Sequence, residues 1–387
     1  MKGTVVVAGA LAQRPGAGGH AWVFLQYLLG FQRLGWRVLF LDRLDRAMCH
    51  DKKGEAASVR DSVELSWLAA VLEWAGLSGD WAVLTADGDP IGLSRTQIAQ
   101  RLHDASLLIN VMGFLSVEDL PPTDALTRVF LDIDPGFGQM WRALDLADPF
   151  DAHDAFVTIG ENVGLEGCTI PTCGLDWITT PQPVVLEEWP MRDPVGQDFP
   201  FTSVAAWRGP YAPVEYDGRT YGLRVHEFRR FVELPRRSGR TFEVALDIDA
   251  AEAPDLDALR RNSWVLADPR VVAGTPEDYR NYIARSGAEL MVAKNMYVAS
   301  NSGWFSDRSI CYLASGRPVL AQDTGIRGRY PVGDGLLVFA ELDEAAAGVE
   351  EIASDPARHG RAARDIAEAH FSSEIVLPRL LERLGVG

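Results

Sequence analysis

Lysine is almost missing from this chain, with only Lys2, Lys52, Lys53 and Lys294 in 387 residues. Basic residues number 37 against 54 acidic ones, a formal net charge of −17. Gripping a phosphate backbone needs a basic face, so this balance predicts no nucleic-acid partner. Cysteine is scarce too. Cys49, Cys168, Cys173 and Cys311 are too scattered for a disulfide framework, and the Cys168/Cys173 pair lacks the second Cys or His pair of a zinc site. No apolar run is long enough to span a bilayer. The apolar run 5–12 imitates a secretory leader, but it feeds directly into a loop, a helix and a second strand that cleavage would orphan. Fixed-period repeats and low-complexity tracts are missing as well. These absences predict a soluble cytoplasmic protein.

What is present is globular: 47% hydrophobic and 24% charged residues, in a chain too long for one ordinary core and comfortable for two domains. Residues 4–8 form a continuous apolar, β-branched run, the mark of a strand buried on both faces. A loop ending Gly16-Ala17-Gly18-Gly19 follows, then helical spacing over 22–34 and a second strand over 37–41. Strand, helix, strand implies a parallel pair with a right-handed crossover. Asp42 at the second strand's end imitates a dinucleotide fingerprint, but the glycines read Gly-x-Gly-Gly and the loop is too long for the tight turn. Further strands are predicted at 107–112, 128–133 and 156–159. Pro181, Pro183, Pro190 and Pro194 then exclude regular helix. Beyond them strands at 202–207, 241–246, 264–266, 289–293, 318–321 and 336–339 alternate with helices, among them 276–285 with Thr275 as its cap. The expected division is a first domain 1–185, a linker 186–200, a second domain 201–369 and a C-terminal helix within 370–387.

Residues 297–325 say most about chemistry. Ser306 and Asp307 open a short helix there, whose unpaired N–H groups and macrodipole favour an anion such as phosphate. The run Leu313-Ala314-Ser315-Gly316-Arg317-Pro318-Val319, followed by Asp323-Thr324-Gly325, resembles the donor-binding segment of the GT-B glycosyltransferases. The resemblance implies an α/β protein of two Rossmann-like, doubly wound domains facing a central cleft. It also implies a C-terminal helix that crosses back to the first domain. In the large retaining group two glutamates precede this motif; here their positions hold Gly303 and Cys311, while Arg308 falls where some divergent members carry an arginine.

The resemblance implies that Arg208, Lys294, Ser306, Asp307, Arg308, Asp323, Thr324 and Gly325 bind the donor, with Gly18 and Gly19 in an acceptor-side loop. Lys294 adds an argument of its own, because a charge at a strand end beside a cleft must justify its desolvation. His20, at a helix start, is the candidate general base or acceptor-orienting group, with Asp132 and Asp134 as a reserve catalytic pair. Arginines at 219, 224, 229, 230, 236, 237 and 240 form a basic island, read either as a solvated helix face or as a wall facing a diphosphate. The resemblance implies that arginine, lysine and a helix N-terminus stabilise the leaving diphosphate, and Asp132-Ile133-Asp134 lies in the first domain, so no metal is expected. The expected activity is transfer of a sugar from a nucleotide diphosphate to a small-molecule or glycan acceptor, with the nucleotide sugar as co-substrate and no permanently bound cofactor. A sugar-nucleotide epimerase of the same architecture and a non-catalytic binding scaffold are the alternatives.

Overall fold

The computed structural model describes residues 2–86, 88–116, 126–194, 196 and 199–386. Val195, Gln197 and Asp198 of the predicted linker lie outside the described residues.

Two sheets carry the fold. The first contains β1 (Thr4–Ala8), β2 (Arg37–Arg43), β3 (Trp81–Leu84), β4 (Ile91–Gly92), β5 (Ala105–Val111), β6 (Thr127–Asp132), β7 (Ala155–Thr158) and β8 (Trp177–Thr179). Their order is β4-β3-β2-β1-β5-β6-β7-β8, parallel except for the β3/β4 pair. The second contains β9 (Phe201–Ala206), β12 (Phe242–Asp247), β13 (Trp264–Ala267), β14 (Ala288–Met291), β15 (Val319–Gln322) and β16 (Leu336–Phe339). It is parallel, ordered β13-β12-β9-β14-β15-β16. Between β9 and β12 lies a small antiparallel hairpin, β10 (Val214–Tyr216) and β11 (Arg219–Tyr221).

In each sheet the chain starts in the middle, winds outward in one direction, then returns to the other side of its first strand. The reversals fall between β1 and β5 and between β9 and β14. At such a reversal the loops leaving neighbouring strands part in opposite directions and leave a crevice beyond the strand ends. All five residues of β1 are buried, as a strand covered on both faces requires.

An aromatic seam joins the two sheets. Trp22, on the helix Gly18–Arg33, donates its indole N–H to the Pro276 carbonyl at 2.9 Å and packs on Trp189, which meets Tyr279 of the helix Pro276–Arg285. Gly18 allows the closest approach: its N–H bonds to the Ala273 carbonyl, and a Cβ added there would stand 2.1 Å from the Thr275 oxygen. At the other end of the same helix, Gly30 leaves room for Leu377 of the helix Ser373–Arg383. That last helix therefore packs on the first sheet's layer, and Val184 pairs with Ser372 where the chain enters it. No helix among the described residues is long and apolar enough to cross a membrane.

Candidate functional site

A cleft of about 630 Å³ lies between the loop that follows the first sheet's β1 and the strand ends of the second sheet. Its floor on the second sheet's side is the end of β9, with Asp247 at the end of β12; across it stands the loop between β1 and the helix Gly18–Arg33. A larger hollow of about 810 Å³ lies elsewhere, around Pro331, Asp334, Ile366 and His370. Beside it Asp334, Glu351 and His359 have metal-ligand chemistry and close spacing. Arg358 already holds that cluster, with its guanidinium on both carboxylates, so a cation sits there as a side chain.

On the second-sheet wall, Ser306 caps the helix Asp307–Ala314 by accepting the Arg308 N–H at 3.2 Å. Arg308 is 6% exposed and lines the cleft. It pairs with the fully buried Glu289 and donates from Nη1 to the Val204 carbonyl at 2.8 Å. Its remaining nitrogen, Nη2, has no partner among the described residues. An unpaired guanidinium N–H in a desolvated wall costs free energy that an anion would recover. Asp307 lies beside it; burial pushes its carboxyl up, against the pull of Arg308. Arg14 and Arg270 add positive charge at the rim.

Arg224 sits behind this wall and was concealed in the basic island. Its Nη1 bonds to the Val292 carbonyl, its Nε is unpartnered, and burial with Arg308 nearby lowers its pKa to about 10. The Gly-Leu-Arg-Val setting at 222–225, apolar on both sides, was the signal that could have separated it from its neighbours. The other described members of the island include surface ion pairs: Arg229 with Asp255, Arg230 with Glu227 and Glu341, Arg237 with Asp343 and Arg240 with Glu350. That part of the island is a solvated face and no wall of the cleft.

On the first-sheet wall, Asp42 fixes the glycine-bearing loop. It is fully buried and accepts the N–H groups of Ala12 and Arg43, each at 2.7 Å. Burial raises its pKa to about 7 in spite of those bonds. A carboxylate turned into its own loop offers nothing to a dinucleotide ribose. His20 places Nε2 3.1 Å from the Ala10 carbonyl. A carbonyl only accepts, so Nε2 carries the proton and Nδ1 keeps the lone pair. Burial lowers this imidazole's pKa to about 4, leaving it neutral at pH 7.

Other predicted site residues stand elsewhere. Asp132 is buried and satisfied by Gln139, Thr158 and the Asp134 N–H, so its oxygens face the protein. Asp134 binds Lys294 through both oxygens, at 2.7 and 2.6 Å, and also accepts from Tyr297. Lys294 lies 5.2–5.4 Å from the ring centres of Phe137, Tyr211 and Tyr297. Expected at a donor phosphate, it instead ties the end of β14 to the end of β6. Arg208 is half exposed and paired with Glu252, outside the cleft lining. Asp323 closes its own turn, accepting from Gly325, Ile326 and Arg327, and Thr324 bonds the Trp304 carbonyl. Gly325 faces Asn162 and Asn301. Of these three, among the described residues, only Gly325 ties to a loop of the first sheet, its carbonyl accepting from Asn162 Nδ2 at 3.0 Å. Gly18 and Gly19 line the cleft, yet the approach they permit is to Thr275 and Tyr279. Gly303 meets Asn162, where a side chain would collide, and Cys311 is buried against Gln26.

No protein-family profile matches the chain, and no curated protein matches it in sequence. Solved structures do. An α-glucosyltransferase in complex with UDP superimposes with a TM-score of 0.61 at 10% identity, covering 99% of this chain and 100% of the other. HepE of Anabaena with UDP-glucose gives 0.60 at 12%, covering 99% of each. Sucrose-phosphate synthase of Thermosynechococcus elongatus gives 0.55 at 12%, covering 98% of each. The fold is GT-B. One expectation has to be withdrawn with that result. The α-glucosyltransferase has also been solved with a 13-mer DNA containing an A:G mismatch. A GT-B protein can therefore meet nucleic acid, and the net charge of a whole chain does not set the charge of one face, so −17 excludes no such partner.

Proposed function

We propose that the protein is a glycosyltransferase that takes its sugar from a nucleotide diphosphate and passes it to an acceptor hydroxyl. The observation that carries this is Arg308: a buried guanidinium with an unpartnered N–H, at a helix N-terminus, in the wall of a cleft lying beyond the strand ends of two doubly wound sheets. Departure of a nucleotide diphosphate builds negative charge on its oxygens, and cations already in place stabilise that charge without reorganisation. Arg308 and the first turn of Asp307–Ala314 take the phosphates, with Arg14 and Arg270 supplying the surrounding potential. These are protein cations, so the reading needs no metal. UDP and UDP-glucose are bound by the proteins of this fold above, which makes uridine nucleotides the first donors to try.

His20 stands opposite. With a pKa of about 4 it is a weak proton acceptor at pH 7, so its role in this reading is to orient. Nδ1 accepts a hydrogen bond from the acceptor hydroxyl and aims the oxygen at the sugar carbon. Small molecules, glycans and DNA are the acceptor classes to screen.

Thermal unfolding with a panel of nucleoside diphosphates, followed by product analysis with the corresponding sugars, tests the proposal. Stabilisation by at least one diphosphate and transfer of its sugar are expected. Epimerised donor would make the protein an epimerase, and binding without turnover a scaffold. Absence of stabilisation by any diphosphate at saturating concentration would end the donor-binding reading.

A further inference from the structure

The cleft has to hold more than phosphates. A ribose presents two neighbouring hydroxyls, and a carboxylate is the side chain that accepts from such a pair. Cys311, one of the two positions where the resembling enzymes carry a glutamate, is buried against Gln26 and brings no carboxylate to the cleft. Among the described residues lining the cleft only Asp247 and Asp307 are acidic. Asp307 opens the helix that receives the phosphates. Asp247 is different in three respects. It ends β12, the strand that follows β9 in the winding order, and pairs in register with Ala206 of β9. It is exposed to the cleft. Its carboxylate has no hydrogen-bond or ion-pair partner among the described residues, whereas the nearby Glu252 and Asp255 are both held by arginines.

We infer that Asp247 is the ribose anchor and the residue that makes the site select ribonucleotides over deoxyribonucleotides. The inference rests on the nucleotide-diphosphate reading above and extends it. Position supplies the argument. Arg308 reaches over β9 to the Val204 carbonyl, and Asp247 stands on the adjacent strand, two residues nearer its C-terminal end than the partner of Val204. A nucleotide whose phosphates rest at Arg308 therefore runs outward across the end of β9 and brings its sugar edge over β12. There the 2′- and 3′-hydroxyls donate to the two oxygens of Asp247, and the base lies toward Pro269 and Arg270 at the rim. The chain thus takes its ribose acid from the second strand of its sheet, where a dinucleotide-binding unit takes its own.

Calorimetry with matched ribo- and 2′-deoxyribonucleoside diphosphates of uracil, adenine and guanine tests this. For whichever base binds best, the wild-type protein should prefer the ribo form by on the order of tenfold or more, the size of one hydrogen bond to a charged group. Asp247→Ala should bring that ratio close to one, with the ribo form, which loses both hydroxyl bonds, weakened about tenfold more than the deoxy form, which loses only its 3′-hydroxyl bond. Because the side chain is exposed and unpartnered, the variant's melting temperature should match the wild type. A wild-type protein that binds both forms equally, or an Asp247→Ala variant that keeps the preference, overturns the assignment and leaves the phosphate site standing. Failure of every diphosphate to bind overturns the functional reading and this inference together.

Discussion

Arg308 has two roles in this structure, and they can be separated. It neutralises Glu289, which is fully buried, and in the wall of the cleft it keeps a buried Nη2 with no partner among the described residues. Replacing it by methionine keeps the volume but strands the carboxylate. Removing one partner of a buried ion pair costs about 3–5 kcal/mol, and at about 2–4 °C per kcal/mol the melting temperature should fall by roughly 6–20 °C. The loss should depend on pH. Burial already pushes the Glu289 carboxyl above its ordinary value of 4.5, and losing Arg308 pushes it further. A carboxyl raised in the folded state contributes stability that is complete below its unfolded pKa and is lost as pH rises through the folded one. The deficit of Arg308→Met should therefore be smaller at pH 5 than at pH 8. Pairing it with Glu289→Met removes the stranded charge, and stability should return to within about 1–2 kcal/mol of wild type. Binding should not return: calorimetry should show UDP weakened on the order of tenfold or more in both variants, with uridine unchanged. A single variant as stable as wild type at pH 8 would refute the buried-pair argument. A double variant that binds UDP normally would make Arg308 a structural residue only.

His20→Ala should leave UDP affinity within about twofold and lower transfer on the order of a hundredfold, since it touches the acceptor and not the donor; a folded variant with wild-type turnover removes His20 from the site. With its pKa near 4, His20 should also produce no acidic limb near pH 6.5 in kcat/KM, and a limb there that vanishes in His20→Ala would contradict the burial that sets it. Gly18→Ala forces a Cβ toward the Thr275 oxygen, 2.1 Å away, so the loop and the start of Pro276–Arg285 must move apart. Chemical denaturation should show a loss of about 1–3 kcal/mol together with weaker UDP binding, and an unaffected variant would mean that the contact yields freely.

The sequence alone determined the two strand–helix alternations and the order of their main strands. Residues 4–8, 276–285 and 336–339 were legible to the residue, and Thr275 and Ser306 were legible as helix caps, because burial periodicity and caps are written in neighbouring positions. The short strands β3, β4 and β8 and the β10–β11 hairpin were not. Their pairing partners lie outside their own stretch of sequence. The candidate donor segment was legible in its local structure and not in its side-chain partners. Ser306 to Arg308 read correctly as a helix start, but Lys294 meets Asp134 across 160 positions of sequence, and Arg208 turns to Glu252. Whether a cation faces a ligand or a carboxylate is decided by which loop folding brings within hydrogen-bond reach and by how much water is left between them. Asp247 shows the same limit from the other side. In the sequence it is one acid among 54, and only the register of β12 beside β9 sets its free carboxylate at the mouth of the cleft.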